Sequence, residues 1–289
     1  TVICNHSKKT QKTMKRIFLI IFSLILCDLY FSQDYKIIYE FKWKSDKSDS
    51  NYNLELMALT TNSKLSQFEA LYKFKYDSLK TDLRNKGIRS VPSPRHEWKF
   101  QQLIEKNLQS GNILVEQDIF DKTYITKYTC KPEWKILKDK REVFGYNSRS
   151  AETNFGGRKW IAWFTDEIPI TDGPYKFYGL PGLILKISDS EENFIFEAKA
   201  LTREKSDISK RNRESAIVKL TPKQWESFWE KFQKDPSNIF ANLNEQGATY
   251  SYVYNGKDVN TKEARESFNK VEKEKINFFK NPIDLKNCE

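Results

Sequence analysis

Histidine is almost missing from this 289-residue chain, which holds only His6 and His96. A lone histidine in the loop-like stretch "PSPRHEW" makes neither a catalytic triad nor a metal cage. The motifs that carry such chemistry are missing too: there is no H-E-x-x-H, no C-x-x-C and no G-x-S-x-G. Zinc, thiol-redox and serine-hydrolase constellations therefore have no support, and neither a metal nor a cofactor is expected. Glycine (10) and proline (9) are scarce, which excludes a low-complexity or fibrous chain. No internal repeat is visible. The one long apolar run, near the start, is too short for a comfortable membrane span.

That run has a context of its own. Met14 opens Lys15-Arg16, an apolar stretch follows from Ile17 to Leu26, and Ser32-Gln33 close it. This is the layout of a secretory signal peptide. We read residues 1–13 as an upstream extension that is not translated, 14–33 as the signal peptide and 34–289 as a single mature domain. Two competing readings stand beside it. One is a retained N-terminal anchor; the other is lipidation at Cys27, against which Leu26 stands where a small residue is wanted.

Losing five cations (Lys8, Lys9, Lys12, Lys15, Arg16) and one acid (Asp28) lowers the net charge from +10 to +6. A mild positive bias permits contact with anionic surfaces but does not argue for nucleic acid. No transmembrane span remains after cleavage, so the expected location is periplasmic, outer-membrane-associated or secreted. Cys4 and Cys27 leave with the leader. Cys130 and Cys288 remain, an even pair in an oxidising compartment. They are either a disulfide that pins the tail or two unrelated thiols.

What the chain does have is aromatics, 14% of its residues, enough to fill a sizeable core. From Asp34 the pattern alternates, with Tyr35, Ile37, Tyr39 and Phe41 on one face, as a strand requires. "LELMALTT" reads as a second strand. "QFEALYKFKYDSLKTDLRNKG" reads as a short strand and then a helix ending at Gly87. "WKFQQLIEKNL" reads as a short helix. Strands are expected over Ile113–Phe120, Lys122–Thr129, Glu133–Leu137 and Lys159–Thr165. Leu183–Ile187 and Phe194–Leu201 form a hairpin around Asp189–Glu192. "TPKQWESFWEKFQKD" is a helix with Thr221 as N-cap, Pro222 first and Gln224 completing a capping box. Its stripe of Trp225, Phe228, Trp229 and Phe232 is expected to be sheet-facing core rather than ligand surface. A last helix places Ala264, Phe268, Val271 and Phe278 on one side. The simplest architecture is one α+β domain, a mostly antiparallel sheet carrying packed helices.

One stretch asks for a reason: "YKFYGLPGLILKI". Pro181-Gly182 fits the centre of a type II turn, whose second residue needs positive φ. Leu183, Ile184 and Leu185 then form a strand buried on both faces. Gly179 and Leu180 complete the motif as a backbone device. A phosphate cradle is excluded, because the glycines have the wrong spacing and precede a strand. The upstream loop brings Tyr175, Phe177 and Tyr178 beside this turn, with Glu167, Asp172 and Arg158 near it. Loop aromatics of this kind are either a binding surface or ordinary packing.

Residues 156–190 closely resemble the signature of the GLPGLI family, secreted proteins of Gram-negative bacteria. Gly157-Arg158, Trp163, Glu167-Ile168-Pro169, Gly173-Pro174 and Gly179–Ile184 come in the family's order. Ser148 and Ser150 stand in the segment where the family pattern often has a cysteine and a lysine. The resemblance implies export and a shared fold, a curved, bowl-like or half-barrel meander, but no reaction. It also hints at glycan or glycopeptide contact, because similar modules accompany a bacterial peptide-N-glycosidase. Two functions follow as expectations. The first is a non-enzymatic binding, assembly or accessory role in the cell envelope through the aromatic loop, with an envelope protein as partner. The second is glycan binding or processing by Asp166, Glu167 or Asp172.

Overall fold

The computed structural model describes residues 34–62, 64–88, 90–203, 208, 216–241 and 252–286. The leader and Cys288 lie outside these residues. The first strand, β1 (Tyr35–Trp43), shows the expected alternation, with Tyr35, Ile37, Tyr39, Phe41 and Trp43 buried. β2 (Asn53–Thr61) and β3 (Leu65–Ala70) follow, and then helix α1 (Leu71–Asn85), after which Gly87 takes φ +75. β4 (Gln102–Asn107) stands where the short helix was expected. Its residues pair with β3 on one side and with β5 (Ile113–Ile119) on the other, so tertiary pairing overrides the local preference. β6 (Lys122–Tyr128), β7 (Lys135–Val143), β8 (Tyr146–Phe155), β9 (Arg158–Thr165), β10 (Leu183–Asp189) and β11 (Phe194–Arg203) come next. β12 (Ala216–Leu220) leads into α2 (Pro222–Lys234). A 3₁₀ turn (Pro236–Phe240), the small ribbon β13 (Val253–Tyr254) and β14 (Lys257–Asp258), and α3 (Lys262–Asn277) complete the described elements.

Twelve strands form one large sheet in the order β12-β6-β5-β4-β3-β2-β1-β11-β10-β9-β8-β7. Every neighbouring pair is antiparallel except β12 with β6, which run parallel. The sheet is not closed and ends at β12 and β7. The β7 edge is blunted in the usual way, by Lys135, Lys138 and Lys140 and by a register shift between Ile136 and Lys140.

The main core gathers the inward residues of β1, β9, β10 and β11 with the loop before β10. Phe41 stacks on Phe196 at 4.3 Å between ring centres. A second, smaller cluster lies between β6, α2, the 3₁₀ turn and α3. Tyr124 of β6 stacks on Phe228 of α2 at 4.5 Å. The capping box that starts α2 is present, with the Thr221 hydroxyl accepting from Gln224 N and the Gln224 side chain accepting from Thr221 N.

Candidate functional site

The Gly-Leu-Pro-Gly turn is not type II. Gly182 N–H donates to Leu180 O at 2.8 Å, a γ-turn around Pro181, while Leu183 N–H donates to Ile168 O. Gly182 has φ +144, and a Cβ there would lie 1.9 Å from Thr165 O, the last residue of β9. Glycine is needed because β10 must enter beside the end of β9 with no room for a side chain. Leu183, Ile184 and Leu185 are then fully buried, as a two-faced strand demands.

The loop before the turn folds back on the sheet. Asp172 bridges Tyr178, and Ile184 N–H donates to Asp172 O. Lys106, on β4, reaches into the loop: its Nζ lies 2.6 Å from Asp172 Oδ1 and donates to Gly173 O and Phe177 O. The side chains of this pair are 1% and 0% exposed. Burial pushes the Lys106 ammonium below its ordinary pKa, against the pull of Asp172. Tyr39 donates to Ile184 O at 2.6 Å. Its pKa is raised well above the usual phenol value by burial and then by the charge of Asp172.

This placement revises the expected binding loop. Tyr175, Phe177 and Tyr178 are buried, as are Arg158 and Asp172. Phe177 lies among Trp160, Phe155 and Tyr175, so packing, not exposure, accounts for the loop aromatics. Arg158 ties down the segment after α3: it donates to Ile283 O, Asn281 Oδ1 and Pro282 O and pairs with Asp189. Of the expected carboxylates Glu167 and Asp166 are exposed, and Glu167 accepts from Asn147 N–H. Asp166, beside it, pairs with Arg149. With Asp172 sealed inside and Glu167 outside, the loop carboxylates do not form one site.

The open site lies elsewhere. A cleft of about 430 Å³ runs between the sheet, α2, α3 and the tail after α3. Gln102, Gln117 and Tyr128 line its sheet side, and Trp225, Glu226 and Trp229 its α2 side. Trp225 and Trp229 stack at 5.4 Å and are half-buried, so the stripe expected to be closed core stands partly open. The loop contributes Tyr175 and Lys176. Asp284 of the tail accepts from Tyr175 Oη at 2.7 Å and pairs with Lys176. Burial, then the charges of Asp284 and Glu226, push the Tyr128 phenol up to about 12. Glu272 and Lys275 pair on the α3 wall. Among the described residues no group of histidine, cysteine and acidic side chains is arranged to hold a metal. Sequence reading missed Lys106 and Asp284, since a single charged residue in a strand or tail gives no sign of its partner.

These features define a class: an open, mostly antiparallel β-sheet protein with a braced loop before β10 and a cleft under two helices. The family described as "Protein of unknown function (Porph_ging)" matches residues 118–186, the segment that holds the Gly-Leu-Pro-Gly loop. Two solved structures of PNGF-II, in the P21 and C2 space groups, are similar in fold. Each is 17% identical to this chain and covers 70% of it, with TM-scores of 0.50 and 0.51. The chain spans only about a third of their length, 34%. No curated protein matches.

Proposed function

We propose that this chain is an exported, non-enzymatic cell-envelope protein that captures a partner in the cleft under α2 and α3, with the loop acting as its structural brace. The signal-like stretch 14–33 supports export to the periplasm or outer membrane. The observation that carries the binding role is the half-buried indole pair Trp225 and Trp229 facing a cleft of about 430 Å³. Partly exposed tryptophans on a concave wall are what interface anchors look like. The single-domain reading of 34–289 rests on one sheet that takes strands from Tyr35 through Leu220. The bowl-like curvature belongs to the same proposal.

Crosslinking in the native cell with a tagged chain, followed by mass spectrometry, tests the binding role. Trp229→Ala should abolish the captured partner. Trp163→Ala, a half-buried tryptophan outside the cleft, should retain it. Equal capture by both variants rejects the cleft.

A second reading is glycan binding, favoured by the stacked indoles opposite the planar amides of Gln102 and Gln117. Absence of binding across a glycan panel at high protein concentration removes it. The Cys130–Cys288 disulfide also stays a proposal. Its support is that Cys130 does not stand as a free thiol and that Tyr178 Oη, beside the tail-anchoring loop, donates to Cys130 O. Two alkylatable thiols in the unreduced protein would reject it.

A further inference from the structure

Among the described residues Lys106 and Asp172 are the most deeply buried ion pair, and they join β4 to the loop between β9 and β10. We propose that the ε-amine of Lys106 and the side-chain carboxyl of Asp172 condense into an intramolecular amide, so that this pair is a self-modifying crosslink site. Four observations carry the inference. The reacting groups touch, with Nζ 2.6 Å from Oδ1. Both side chains are shut away from water, which otherwise hydrolyses an acyl centre and solvates the charges. Asp172 Oδ2 is buried and has no hydrogen-bond donor among the described residues, so the carboxylate is solvated on one side only. Gly173 O, at 2.5 Å, and Phe177 O, at 3.2 Å, hold the amine against the carboxyl.

Each observation has a chemical consequence. A buried ion pair seldom recovers its desolvation cost, so a neutral product is favoured in this setting. Burial lowers the pKa of Lys106, which favours the neutral amine, the nucleophilic form. Fixed contact replaces a bimolecular encounter, and such arrangements reach effective molarities of about 10⁵–10⁸ M. Tyr39 stands in the field of Asp172 as a neutral acid within the same dry region.

The step balances without a further reactant. A proton passes from the ammonium to the carboxylate, giving amine and carboxylic acid. The nitrogen lone pair attacks Cγ, a Cγ–N bond forms and a Cγ–O bond breaks. The oxygen leaves as water, taking the carboxyl proton and one amine proton. The amide N–H that remains has Gly173 O as its acceptor. A competing loss of water exists at the same residue. Gly173 N–H donates to Asp172 Oδ1 at 2.8 Å, and attack by that backbone nitrogen on Cγ gives a cyclic imide of equal mass.

Peptide mapping of the reduced, denatured chain decides the matter. The expected result is a branched peptide joining the segments that contain Lys106 and Asp172, lighter by one water than its parts and missing from Lys106→Arg. On a denaturing gel the wild type should run ahead of that variant. Two linear peptides of full mass from the folded wild type overturn the proposal. So does a water loss confined to a linear Asp172-Gly173 peptide that mild base restores.

Discussion

Around the Gly-Leu-Pro-Gly loop the aromatic side chains are sealed. Trp160, Phe164, Phe177 and Phe196 are at most 1% exposed, and buried polar groups reach between them from distant parts of the chain. Under α2 and α3 the same residue types stand half open, with Trp225, Phe228 and Trp229 packed against β6, β12 and one another. The difference is in how each region is held. The sealed region is fixed by backbone pairing on both sides of every strand and by charges with no access to water. The helical region is fixed by one amphipathic stripe, which leaves rings uncovered wherever the stripe is wider than its support. Aromatic density alone does not mark a binding surface. What separates the two is how completely the rings are covered, since β6 beneath the stripe is also paired on both sides, with β5 and β12.

The contrast can be broken hardest at Gly182. Gly182→Val places a side chain on Thr165 O and should cost at least about 4 kcal/mol, the range of backbone clash and strain. Urea unfolding, or loss of soluble folded protein, reads it. A midpoint near wild type would mean that β10 can enter without the close approach.

Lys106→Met comes next. It leaves Asp172 as an uncompensated buried charge and should cost about 3–5 kcal/mol, whereas Lys106→Met with Asp172→Leu should recover most of that loss. A double variant as unstable as the single one would show that the brace acts through shape rather than charge.

The smallest effect is alkaline. Tyr39, Tyr128 and Tyr175 have folded pKa values above the ordinary phenol value, about 12 for Tyr128. Their contribution is fully present below about pH 10 and is lost as pH rises through the folded values. In the unlinked form Lys106 works in the opposite sense, since its folded pKa is lowered: its contribution is present above the ordinary lysine value and is lost as pH falls through the folded one. Tyr128→Phe should therefore flatten the fall in stability above pH 10 by at most about 1.4 kcal/mol per pH unit. An unchanged slope would mean that the floor of the cleft is wet.

Much of the sealed region was legible because its strands alternate or run apolar on both faces. β1, the β10–β11 hairpin and the capped start of α2 follow directly from residue patterns. β8 was not legible, since "YNSRSAETNF" is mostly polar and takes its place by pairing with β7 and β9. β4 reads locally as helix, and β12 joins the sheet in parallel across a long sequence distance. For the site, sequence brought the loop to notice and left open whether its aromatics were exposed or packed. Burial of Tyr175 and Phe177 depends on the tail and on Phe100, Trp160 and Phe196, which no local pattern connects to them.

The first described strand of the chain lies in the middle of the sheet. β1 pairs with β2 on one side and, with Tyr35 opposite Arg203, with β11 on the other. The two halves of the sheet meet only through it. As the chain emerges from its N-terminus, β1 therefore waits with one edge unpaired until some 150 further residues have followed. Closing that seam requires contacts of long sequence separation, which makes folding slow and puts the exposed edge of β1 at risk of pairing with another chain. Refolding from urea should show a slow phase that the burial of Trp43, at the end of β1, reports by fluorescence.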